Sequence, residues 1–133
     1  MNKLRILSRL AEGIESFHEI EELRDHQVAD ELKKLNLHGN VIGSFRGLPA
    51  LHSLKELILS SNELCILDWS ILGRLHALEM FDVSGNQLGD GVPDGAVFIG
   101  MPQFPLLKDL RIAHNPALAS LQGISSTVSP IHK

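Results

Sequence analysis

The chain has 133 residues, with 12 Lys+Arg, 16 Asp+Glu and a net charge of −4. This length fits one domain, a hydrophobic share of 44% excludes wholesale disorder, and the acidic balance argues against a dedicated phosphate binder. Leucine supplies 23 residues while aromatics make up 5%, so the core must draw its specificity from regular placement of one side-chain type.

The N-terminal segment MNKLRILSRL is broken by Arg5 and Arg9 and lacks the continuous apolar stretch of a signal peptide. Ile14, Phe17, Ile20 and Leu23 follow at three-residue spacing. Ser16 and Glu19 make an S-x-x-E capping box, which predicts a helix running through HEIEELRDHQVADEL, residues 18–32.

From Leu32 onward one pattern recurs. LKKLNLHGNVI (Leu32 to Ile42), LKELILSSNEL (Leu54 to Leu64), LEMFDVSGNQL (Leu78 to Leu88) and LKDLRIAHNPA (Leu107 to Ala117) all fit L-x-x-L-x-L-x-x-N-x-L. Phe81, Val83, Ile112 and Ala117 are the variants. The units start at residues 32, 54, 78 and 107. Within each, the last two leucines alternate with other residues, the period of a short strand with one buried face. Leu35 and Leu37, Leu57 and Leu59, Phe81 and Val83, and Leu110 and Ile112 are therefore the expected core. Asn40, Asn62, Asn86 and Asn115 form a column at the bend after each strand. An amide side chain there both donates and accepts, so it can satisfy backbone groups buried by the turn and bridge neighbouring units.

The connections differ. Ile42 to Leu54 carries apolar residues every third position, which predicts a tight helical turn. The second unit has two extra residues around Asp68-Trp69-Ser70. The third is longest, and the Gly and Pro residues of Gly89 to Pro105 predict a loop. After Asn115, Leu118, Leu121 and Ile124 continue a back half. Val128 and Ile131 then stand where a further strand is due, so the repeat array is expected either to end on a polar edge or to continue.

These motifs resemble the intracellular leucine-rich repeat family, in its short, 22-residue subclass. That subclass includes the regulatory subunit of protein phosphatase 1 and ciliary and centrosomal proteins. Residues 1–31, where Leu4, Leu7, Ile14, Phe17, Ile20 and Leu23 match a worn repeat, read as a degenerate unit or helical cap; residues 32–133 read as four repeats. The resemblance implies an α/β fold, a right-handed solenoid with a curved parallel sheet on its concave face and short helices, 3-10 turns and loops on its convex face.

It also implies a protein-binding adaptor or scaffold that uses the concave face. The outward positions there are Lys34, Glu56, Met80 and Asp109; Asn36, Ile58, Asp82 and Arg111; and His38, Ser60, Ser84 and Ala113. Ile58 and Met80 are expected to form an exposed apolar centre within a polar rim. The alternatives are a phosphatase regulatory subunit, which the lack of aromatics in these columns disfavours, and a ribonucleoprotein component. The expected partner is another protein, with no direct nucleic-acid or membrane contact. The chain is expected to be monomeric or weakly self-associating through open solenoid ends. A cytoplasmic location is expected, with cytoskeletal, ciliary or nuclear variants, because the lone Cys65 cannot form an internal disulfide.

No enzyme signature stands out. The seven histidines lack metal-ligand spacing, and His18 with Glu19 and Glu22 lacks the second histidine of a zinc helix. Asp90-Gly91 and Asp94-Gly95 lack the acidic spacing of a calcium loop. Cys65 has no histidine in phase with it. No cofactor, metal or catalytic residue is therefore expected.

Overall fold

A three-residue strand cannot bury a row of leucines by itself; it must pair with copies of itself. In the computed structural model, which describes residues 5–91, 106–120 and 131–132, it does so. The chain is α/β, with one parallel sheet of six short strands lying in chain order. These are β1 (Ile6–Ser8), β2 (Lys34–Asn36), β3 (Glu56–Ile58), β4 (Met80–Asp82), β5 (Asp109–Arg111) and β6 (Ile131–His132). The register places Leu7, Leu35, Leu57, Phe81, Leu110 and Ile131 in one row. The first five of these side chains are buried. Backbone pairing continues past the strands, with Leu37 N–H donating to Ile58 C=O, Leu59 to Asp82 and Val83 to Arg111. This brings a second inward row, Leu37, Leu59, Val83 and Ile112, into the same core. The strand expected at Ile131 is present, paired with Leu110.

The asparagines tie the units together. The Oδ1 of Asn62 accepts from Ile42 N–H, that of Asn86 from Leu64 N–H and that of Asn115 from Leu88 N–H, each in the preceding unit. Each Nδ2 donates to the carbonyl three residues back and to its counterpart one unit earlier, and those of Asn62, Asn86 and Asn115 also donate to the carbonyl two residues back. Leu37 C=O thus accepts from both Asn40 and Asn62, and Leu59 C=O from both Asn62 and Asn86. Val83 C=O accepts from both Asn86 and Asn115. All four asparagines are buried. Asn40 extends the column backwards, accepting from Glu12 and Ile14 N–H and donating to Arg9 C=O, so the first unit is held without an asparagine of its own.

The residue before each column position has a left-handed backbone. Gly39 and Gly85 sit there, with φ of 79° and 67°, but so do Ala11, Ser61 and His114 at 52°, 56° and 59°. A side chain in this region costs about 1–2 kcal/mol. Ser61→Gly is therefore expected to stabilise the fold by about 0.5–1 kcal/mol, since glycine's extra freedom in the unfolded chain offsets part of the relief. A thermal melt checks this; a lowered melting temperature would show that the Ser61 side chain contributes more than its backbone strain costs.

The connections explain two departures from expectation. The single helix predicted over residues 18–32 is absent. The capping box forms, with Glu19 Oε2 accepting from Ser16 N–H, but it opens only a 3-10 turn, Phe17–Glu19. Extended backbone at Ile20 and Asp25 separates this turn from a second, Glu21–Arg24, and from the short α1 (His26–Glu31). Apolar residues spaced by three match the 3.0-residue period of such turns and not the 3.6 of an α-helix. The helical turn predicted between Ile42 and Leu54 is reduced to isolated turns, closed by Leu48 N–H to Phe45 C=O and Leu54 N–H to Leu51 C=O. Pro49 lacks the N–H that would extend the first.

The two extra residues near Asp68 are absorbed as α2 (Trp69–Leu72). Asp68 caps it by accepting from Ser70 N–H and Oγ. Phe17 and Phe45, equivalent positions in adjacent units, stack with ring centres 6.3 Å apart. Of the predicted Gly89 to Pro105 loop, residues 92–105 lie outside the described residues, as do Leu121, Ile124 and Val128 of the predicted continuation. Among the described residues no helix is long and apolar enough to cross a membrane.

Candidate interaction surface

Strand alternation turns one set of side chains away from the leucine core, and parallel register stacks that set into columns. The pairing places Lys34, Glu56, Met80 and Asp109 in one row and Asn36, Ile58, Asp82 and Arg111 in the next. Continued backbone bonds from Gly39 to Ser60, Ser61 to Ser84 and Gly85 to Ala113 bring His38, Ser60, Ser84 and Ala113 into a third. The groupings read from the sequence are therefore spatial neighbours.

The rows also extend further than the repeat motif revealed. Ile6 and Ser8 pair with Lys34 and Asn36, and the bond from Ala11 N–H to His38 C=O puts Leu10 beside His38. Ile6 is 60% and Leu10 48% exposed, so the most open apolar side chains on this face belong to the first unit, in and just after β1. Counting the worn repeat's Leu7 in register with Leu35 would have identified both.

The expected apolar centre is modified. Ile58 and Met80 are half-buried, and each lies opposite a carboxylate: Met80 pairs with Glu56 and Ile58 with Asp82, leaving the two on a diagonal. Ser60 and Asp82, expected as contact residues, are buried. Their oxygens serve internal bonds. Ser60 Oγ lies 2.7 Å from His38 Nδ1, and Asp82 Oδ1 accepts from Ser84 N–H and Oγ. Asn36 makes the matching turn bond, its Oδ1 accepting from His38 N–H. These contacts hold His38 and Ser84 in place.

The charges on this face are arranged in pairs. Lys34 Nζ stands 3.7 Å from Glu56. Arg111 donates to both oxygens of Asp109, which raises the guanidinium pKa above its usual value; the nearby charges of Asp82 and Glu56 act in the same direction. Both pairs are substantially solvated and act mainly to orient side chains.

Among the described residues no group of three His, Cys, Asp or Glu is placed to hold a metal ion. Cys65 is half-buried, its Sγ 4.0 Å from Glu63 C=O. The arrangement offers a paired, partly apolar surface. Comparison of the chain with protein-family models and with curated proteins finds no match.

Proposed function

We propose that the chain is a protein-interaction module of the leucine-rich repeat type, a solenoid that binds a partner protein through the concave, outward face of its parallel sheet. The observation that carries this reading is the registration of three outward rows across β2 to β5. They supply half-buried Ile58 and Met80 within a border of Lys34, Asn36, His38, Glu56, Ser84, Asp109 and Arg111. Half-buried apolar groups inside a polar border are the composition of a binding patch. The repeat spacing, the leucine rows and the asparagine column support the solenoid part of the reading. One cysteine in the whole chain suits a reducing, cytoplasmic setting.

Ile58→Glu with Met80→Glu tests the proposal. Both positions face outward, so the double variant is expected to melt close to the wild type while losing the partner that the wild-type chain captures from cell extract, read by mass spectrometry. Undiminished capture of the same partner would remove this face as the binding surface.

A further inference from the structure

At the start of β2, β3, β4 and β5 the chain makes a repeated kink in which two consecutive N–H groups share one carbonyl. Lys33 and Lys34 donate to Arg5 C=O, Lys55 and Glu56 to Lys33 C=O, Glu79 and Met80 to Lys55 C=O, and Lys108 and Asp109 to Glu79 C=O. This stacks Arg5, Lys33, Lys55, Glu79 and Lys108 into a row along the start of the sheet. Its first three members are cations on adjacent chain segments, spaced by about 4.8 Å. Lys34 stands beside them, and exposed Ile6 is its strand partner.

Like charges facing each other across strands are destabilising. Here the cost is relieved only in part: Lys34 lies 3.7 Å from Glu56 and Lys55 3.9 Å from Glu79, while among the described residues Arg5 and Lys33 have no carboxylate within salt-bridge distance. A chain with 16 acidic residues and a net charge of −4 nonetheless gathers four of its 12 cations here.

We infer that this corner, Arg5, Lys33, Lys34 and Lys55 around Ile6, docks an acidic segment of a partner protein that carries an apolar residue among its carboxylates. Charge complementarity selects the acid, and Ile6 selects the apolar anchor. A nucleic acid fits less well. Its affinity grows with the number of phosphates neutralised, whereas Glu79 interrupts this row of cations and Glu56 flanks it. The corner adjoins the open face and shares Lys34 with it, but it requires no contact at Ile58 or Met80.

The test is a binding titration with a labelled decapeptide of Glu and Asp around one central Leu, set against an oligothymidylate of equal charge. The wild-type chain is expected to bind the peptide more tightly than the oligonucleotide, and less tightly as salt rises. Lys33→Glu places a carboxylate between Arg5 and Lys55. It is expected to weaken peptide binding by about tenfold or more while leaving the melting temperature equal to or above that of the wild type. The charge-neutral Arg5→Gln with Lys55→Gln, both at exposed positions, is expected to weaken binding as well. Ile58→Ala with Met80→Ala is expected to leave it unchanged. Undiminished binding by the Lys33→Glu protein, tighter binding of the oligonucleotide, or loss in the Ile58/Met80 variant would each overturn the assignment.

Discussion

Phe45→Ala is expected to cost about 3–5 kcal/mol. Phe45 is fully enclosed between units, with Phe17 stacked on it from the preceding one at a ring tilt of 20°. The equivalent position in the following unit is Leu67, also buried. Truncation opens a cavity in the back half, where turns closed by single hydrogen bonds have little regular structure to hold them. A domain of this size has about 5–15 kcal/mol in total, so the variant should show a much lower urea midpoint with an unchanged slope. Phe45→Leu, which copies the chain's own solution at Leu67, should lose clearly less. Combining Phe17→Ala with Phe45→Ala should cost less than the sum by about 0.5–1.5 kcal/mol, the part belonging to the ring pair. Strict additivity would show that the two rings stabilise their units independently.

Asn62→Ala is expected to cost about 1–3 kcal/mol, because it strips four hydrogen bonds from a buried junction. Ile42 N–H loses its acceptor, and the carbonyls of Leu37, Leu59 and Ser60 lose a shared donor. Asn62→Asp separates the two halves of this role. Its carboxylate can still accept from Ile42 N–H, but ionised it has no proton for the three carbonyls. Burial against those carbonyl oxygens raises its pKa above the unfolded value of about 3.9. A raised folded-state pKa means that the native state holds its proton longer, so the variant's deficit should be smallest near pH 4 and grow as pH rises towards neutrality. Melts of variant and wild type across this range check the sign. A deficit independent of pH would mean that the donor half of the amide contributes little.

Much of this architecture is legible in the sequence because the repeat encodes it twice. The L-x-x-L-x-L spacing marks which side chains turn inward, and the asparagine marks where each strand bends. Together they set the register, so the motif alone groups Lys34, Glu56, Met80 and Asp109. The left-handed turn is legible at Gly39 and Gly85 and hidden at Ala11, Ser61 and His114. There the bonds from neighbouring units impose the backbone angle, and residue type gives no sign of it. The helix expected over residues 18–32 fails for a related reason. A capping box specifies only the first turn, whereas the three-residue spacing of Phe17, Ile20 and Leu23 governs the rest of the segment. Ile6 and Leu10 escape the motif because the first unit lacks an asparagine to mark its bend. Burial of Ser60 and Asp82 depends on short side-chain bonds to His38 and Ser84, which no periodicity announces.

The outward face of the sheet is the proposed seat of a partner protein. Photo-crosslinking from a single reporter residue tests it most directly, with the reporter placed in turn at Ile58 on that face and at exposed Arg46 in a return segment. The reporter at position 58 is expected to join the chain to a discrete partner, and the one at position 46 is expected not to. Crosslinks to that partner from position 46 and none from position 58 would contradict it.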